Sequence, residues 1–351
     1  DVRLFAVRWS ADDCIVALRD DIAKLLDGPQ PSSRYYLAVL GAVDWLDNKP
    51  RAHGAGFTDE LLIHELENNS RSPEAHAMAL ALLSPDNKFL TIDRLKTYLQ
   101  SKNQQLRLEA VRTLVEETSP MRAHLLAEVA GDDRQSDEVR ATAISGLGAF
   151  IDQHAVGAVL EAMRDSKDDI LCREAKRTLR LARGNSVSGY RPAPSEIARW
   201  SKLLAKTGDA AAGRRLFFSP VGPRCSMCHK YAGRGGNVGP DLTQIGHTTS
   251  REKILTSILQ PSREIAPDYQ AWILVTTDGN TFTGLRLPKP GDDGKEDYVD
   301  AAGKTFTLPS DEIEERSVSD KSLMPDNLQA TLSIADMGDL LSFLTANSSL
   351  Q

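Results

Sequence analysis

The chain has 351 residues, 41% of them hydrophobic and 26% charged, with a net charge of −7. That is an ordinary globular balance over a length that fits two or three domains. The net acidity argues against a nucleic-acid partner, whose binding rests on a basic stripe, and no apolar run reaches the length of a membrane-spanning helix. The chain begins at Asp1, with no initiator Met and no signal peptide, which fits a processed protein or a segment of a longer one.

Residues 1–185 read as helices almost throughout. Apolar residues recur at helical spacing at Leu61, Leu62 and Leu66, at Leu95, Tyr98 and Leu99, at Leu108, Val111, Leu114 and Val115, and at Ile144, Leu147, Phe150 and Ile151. Turn clusters such as Ser84-Pro85-Asp86-Asn87 separate them. A small residue returns at Ala77, Ala110, Ala143 and Ala175, spaced 33, 33 and 32. Leu106-Arg107-Leu108-Glu109-Ala110 and Val139-Arg140-Ala141-Thr142-Ala143 are similar surroundings, and Leu171-Cys172-Arg173-Glu174-Ala175 is a looser copy. A period near this, holding two helices, is that of an α-solenoid, in which neighbouring hairpins bury faces that none could bury alone. The pattern resembles HEAT repeats. Cys14 and Cys172 are expected as buried thiols in these helices rather than as a disulfide.

Composition shifts at Gly184-Asn185-Ser186-Val187-Ser188-Gly189, Pro192 and Pro194, placing a linker over 186–199 between a helical domain at 1–185 and a second domain at 200–351. A helix is predicted over Ile197–Ala205, and a short one leads into Gly213-Arg214-Arg215-Leu216-Phe217. From about 270 to 310 the period changes to two. Ala271–Thr276 and Thr281–Leu285 flank the turn signal Asp278-Gly279-Asn280, and Tyr298–Asp300 with Thr305–Leu308 form a second hairpin. Helix resumes over Ser333–Leu344.

Cys225-Ser226-Met227-Cys228-His229 is C-x-x-C-H, the attachment pattern of c-type haem. Two thiols one short turn apart add across the two vinyl groups of the porphyrin, and the adjacent His lies under the iron. A thioredoxin-like reading lacks the surrounding βαβ pattern. A zinc reading lacks a second ligand pair.

Gly213-Arg214-Arg215-Leu216-Phe217 before the motif, Gly239-Pro240-Asp241-Leu242 after it and Asp339-Leu340-Leu341-Ser342-Phe343-Leu344 near the end resemble class I cytochromes c. The resemblance implies that the Pro240 carbonyl accepts the Nδ1–H of His229 and that a late Met is the sixth ligand. Met324, in Ser322-Leu323-Met324-Pro325, is that candidate. Met337 is its rival within the final helix, and His247 its rival from the imidazole class. His53, His64, His76, His124 and His154 are given no metal role. More specifically, residues 200–346 resemble the haem-binding domain of large planctomycete- and verrucomicrobia-type proteins, a domain that often follows HEAT-like repeats and, further upstream, a β-propeller. This stretch shows no propeller, so either the full protein is longer or it lacks that catalytic module.

The expected protein is therefore mostly α, an N-terminal HEAT-like α-solenoid plus a class I cytochrome c-like helical domain with a small β insert. Its expected function is electron transfer by one covalent haem c with His229 and Met324 ligands, outside the cytoplasm, as in a bacterial periplasm. The implied partner is a redox protein, such as a dehydrogenase. Two other readings stay open: a haem enzyme or gas sensor with an exchangeable distal Met, and a HEAT-repeat scaffold for protein binding. No Ser-His-Asp arrangement, phosphate loop or paired carboxylates point to a freestanding hydrolase or kinase.

Overall fold

The computed structural model describes residues 2–28, 32–47, 58–117, 119–187, 189, 191–206, 208–288 and 294–346. His53, Ser188 of the expected linker, and 289–293 of the expected β insert lie outside them. The chain divides into two compact units at Leu147/Gly148.

The first unit is helical: α1 (Val2–Asp12), α2 (Arg19–Lys24), α3 (Ser33–Asp47), α4 (Asp59–Glu67), α5 (Pro73–Leu82), α6 (Ile92–Leu99), α7 (Gln104–Glu116), α8 (Pro120–Gly131) and α9 (Asp137–Leu147). Capping residues fix several starts. The side chains of Ser72, Thr91 and Asn103 accept from Ala75 N, Arg94 N and Leu106 N, satisfying donors that a helix cannot pair internally. α5 packs on α7, and α7 on α9. The recurring alanines Ala77, Ala110 and Ala143 sit in these three helices, all buried, because a larger side chain would hold the packed backbones apart. Phe150, expected within a helix, lies instead in a 3-10 turn after α9. Cys14 departs from expectation more sharply. It is an exposed turn residue in the left-handed conformation, φ 57°, while Cys172 lies half-buried in a helix and donates to the Arg164 carbonyl. Neither forms a disulfide.

The second unit contains α10 (His154–Arg164), α11 (Asp169–Ala182), α12 (Ile197–Leu203), α13 (Ala210–Phe217), α14 (Cys225–Cys228), α15 (Ile245–Thr248), α16 (Arg251–Leu259) and α17 (Ile334–Thr345), with strands β1 (Ala271–Thr276), β2 (Thr281–Arg286), β3 (Lys295–Val299), β4 (Thr305–Pro309) and β5 (Ile313–Val318). The compact division thus puts α10 and α11 with the C-terminal half, not with a domain ending at 185. Charge explains why. Glu174 of α11 accepts from Arg215 Nε of α13 at 2.6 Å. Arg177 pairs with Glu174 and donates to the Ala212 carbonyl at 3.1 Å. Arg180 reaches Asp336 of α17 at 2.5 Å. Buried charges hold together because parting them would leave each uncompensated.

The sheet is antiparallel, in the order β4-β3-β2-β1-β5. The two hairpins fall where the period-two pattern predicts them. β5 was not anticipated: five of its six residues are exposed, three of them charged, so no apolar alternation marks it. α16 was likewise unread. Strand alternation sorts the sheet's side chains. Leu274, Tyr298, Leu308 and Ile313 form an apolar cluster, and Leu285 and Val299, paired across β2 and β3, belong to another. Among the described residues no helix is long and apolar enough to cross a membrane.

Candidate functional site

The floor of the site is the crossing of α13 and α17. Asp209 caps α13, its carboxylate accepting from Ala211 N and Ala212 N, while its own N–H donates to Asp339 Oδ1 at 2.8 Å. A Cβ on Gly213 would stand 2.0 Å from the Asp339 carbonyl oxygen, so only glycine lets these backbones approach so closely. α17 begins at Ser333 with a reciprocal capping box through Asp336. Leu216, Phe217, Leu340, Leu341 and Phe343 fill the apolar core between the helices. Phe217 and Phe343 have ring centroids 5.6 Å apart. Tyr231, two residues beyond His229, packs on Phe343 at 4.4 Å, which ties the motif to the crossing.

The motif is a single helical turn, α14, entered from Arg224 in the left-handed region, φ 51°. Backbone bonds lace it to the loop that follows: Gly236 N to Ser226 O, Gly239 N to Cys228 O and Leu242 N to Lys230 O, each 2.8 Å. The lacing carries Pro240 behind the His229 ring, where His229 Nδ1–H donates to the Pro240 carbonyl at 2.9 Å. A Cβ on Gly239 would stand 2.4 Å from His229 Cε1 and 2.7 Å from Nδ1. The bare backbone of Gly239 therefore lies against the imidazole. The carbonyl fixes the tautomer and the glycine leaves the ring its place, so Nε2 is the nitrogen left to bind a metal.

Burial pushes the Cys225 thiol up to about 12 and raises Cys228 too. Burial lowers His229, against the opposing pull of the Pro240 carbonyl. Neutral thiols are the reverse of the low-pKa thiolate that a disulfide oxidoreductase needs. Among the described residues no group of three or more His, Cys, Asp or Glu side chains is gathered to hold a metal ion. An iron in a porphyrin needs no such group. It takes two axial ligands from the protein, as His and Met supply in cytochromes c. Two thiols three residues apart on one turn, with a neutral imidazole beside them whose Nδ1 is already engaged, suit a porphyrin bound by two thioethers.

Cys225 and Met324 both pack against the core beneath the crossing. Cys228 and Leu323 both pack against the smaller cluster of Val238, Leu285 and Val299. The Ser322–Pro325 loop and the motif thus share two sets of neighbours. The loop is held by Ser322 N donating to Ser262 Oγ at 3.1 Å and Met324 N donating to Ser322 Oγ at 3.1 Å. Met337 is 1% exposed within α17, and His247 is exposed on the short α15. His76 bonds the Asn68 carbonyl and His124 faces Glu128; these are local contacts.

Sequence reasoning missed Tyr231, the steric part played by Gly239, and the strand residues Leu285 and Val299. A glycine before Pro240 was visible, but nothing local said that it lies on the ring. The chain matches no family model and no curated protein.

Proposed function

We propose that the second unit is a c-type cytochrome-like electron-transfer module holding one haem. Cys225 and Cys228 would hold the group covalently as two thioethers. His229, through Nε2, and Met324, through its thioether, would be the residues that hold its iron. The bound haem would supply a one-electron iron centre passing between ferric and ferrous states. His229 is oriented by Pro240 and kept a better donor by that bond. Met324, a soft and weakly donating ligand, favours the ferrous state and a raised potential. The core under α13 and α17 keeps water from one side. An iron held by both His229 and Met324 would suit electron transfer rather than oxygen activation, so the partner we propose is a redox protein such as a dehydrogenase.

The observation that carries this reading is the 2.9 Å bond from His229 Nδ1 to the Pro240 carbonyl. It prepares an imidazole for metal directly beside two suitably spaced thiols. Stacked helical pairs with buried Ala77, Ala110 and Ala143 support reading the first unit as HEAT-like, a surface for binding a partner protein. Haem attachment through thioethers takes place outside the cytoplasm, so the periplasm or an equivalent space is the proposed location. The test is covalency. Denatured chain from a strain able to attach haem c should retain colour, give a haem c pyridine haemochrome spectrum, and exceed the mass of the polypeptide by one haem. Colour stripped by acid–acetone, or a mass equal to the polypeptide alone, rejects the proposal.

A further inference from the structure

Among the described residues the β insert contributes to two apolar clusters, and a motif cysteine packs against one of them. Leu285 of β2 and Val299 of β3 pair directly and form an apolar cluster with Val238, against which Cys228, Tyr269, Leu287 and Leu323 pack. Those seven residues come from the motif, the loop behind His229, the loop that carries Met324, and the insert. A second observation reaches the same place. A Cβ on Gly303, in the turn joining β3 to β4, would lie 3.9 Å from Val238 Cγ2, so the hairpin tip rests beside the Val238-Gly239-Pro240 stretch. Leu274, Tyr298, Leu308 and Ile313 gather in a separate cluster with Trp272, Phe282 and Phe306, which includes neither cysteine nor any residue of the Met324 loop.

We propose that the sheet is one wall of the haem crevice, with Leu285, Leu287 and Val299 closing the Cys228 edge between the His229 side and the Met324 side. This deepens the haem reading and rests on it. The insert then has a defined task. It replaces water along one edge with hydrocarbon, which disfavours the more highly charged ferric state and so raises the potential. It also braces the Met324 loop through Leu323, so that the sheet and the distal ligand are positioned together.

The experiment uses the full haem-loaded chain. A porphyrin displaces the NMR resonances of methyl groups beside it, and the displacement changes when paramagnetic ferric iron is reduced. The Leu285, Leu287 and Val299 methyls should shift strongly between oxidation states, and the Leu308 and Ile313 methyls should not. Val299→Thr, which keeps shape while adding a hydroxyl, and Leu287→Gln, at a half-buried site, should lower the midpoint potential and speed bleaching by peroxide several-fold. Phe282→Leu, in the other cluster, should change neither. Methyls that ignore oxidation state in a chain carrying haem c overturn the wall while leaving the haem reading intact. So does an equal response to Phe282→Leu. A chain that takes up no haem c overturns both, and its absorbance spectrum identifies that case.

Discussion

Arg215 of α13 donates through Nε to Glu174 of α11 at 2.6 Å, with each side chain 3% exposed. Glu174 also pairs with Arg177, whose Nη1 stands 3.7 Å from Asp336 and 3.6 Å from Asp339. The last helix of the repeat-like sequence is therefore fastened to the two helices that form the floor of the candidate site.

Acid should loosen this fastening. Burial alone pushes the Glu174 carboxyl up, but Arg177 and Arg215 outweigh it and hold it below its ordinary range. A lowered folded-state pKa contributes stability above the unfolded value of about 4.3 and loses it as pH falls through the folded value. Asp339, pushed up by burial, works in the opposite sense and loses its contribution as pH rises. Glu174→Gln should cost about 3 kcal/mol at pH 7, because two buried guanidinium groups lose their carboxylate. It should also flatten the fall in stability below about pH 4. Urea titrations at pH 7 and 3.5 check both, and an acid limb as steep as wild type removes Glu174 as its cause.

The same network decides what happens on cleavage at 184–195. A nick there should leave the pieces associated through gel filtration, since α11 remains clamped to α13 and α17. A chain starting at residue 148 should unfold cooperatively at a higher denaturant concentration than one starting at 195. If the shorter chain proves as stable, α11 is dispensable and the boundary belongs near 195 after all.

Much of this was legible and some was not, for reasons that separate cleanly. Helices such as α7 carry their own spacing and cap in sequence, the β1–β2 hairpin announces its turn, and Cys225, Cys228 and His229 lie within five residues. The Gly/Ser/Pro stretch is a local signal for a linker, whereas the compact division falls at Leu147/Gly148, and the bonds joining Glu174 to Arg215 and Arg180 to Asp336 are not legible in any one segment. Cys14 was expected inside a helix because its type is usually buried, but α1 ends at Asp12 and leaves it in a turn. The sheet's part at the site depends on the Leu285–Val299 register, which no single strand encodes.

Gly239→Ala should act on His229 rather than on haem attachment. The added methyl meets the ring at 2.4 Å, so ring or loop must move, at a cost of about 1–3 kcal/mol. Weakening the Pro240 bond makes the imidazole a poorer donor, and the midpoint potential should rise while covalent haem content stays at wild-type level. A redox titration paired with the haemochrome assay separates the two effects. An unchanged potential means the ring did not depend on this glycine.

The haem module proposed above takes Met324 as its distal ligand. Ferric protein should show the weak far-red sulfur-to-iron band, and Met324→Ala should abolish it, lower the potential and admit cyanide or CO. Met337→Ala should keep the band and cost about 2–5 kcal/mol of stability from the core. Loss of the band in the second variant but not the first would exchange their roles. A spectrum that changes only in His247→Ala would pass the ligand to that residue.

Asp209 and Asp339, bonded at the α13–α17 crossing, are 130 residues apart in sequence. Loop closure over that distance must be met before the contact returns anything, so the crossing belongs to the late, slow part of folding. During synthesis α13 and the motif emerge well before α17 exists, and the thiols wait on a chain whose floor is still missing. On the haem reading proposed above, attachment would meet Cys225 and Cys228 on an open peptide, before α17 completes the floor. Pulsed hydrogen exchange should show α13 amides gaining protection only together with those of α17.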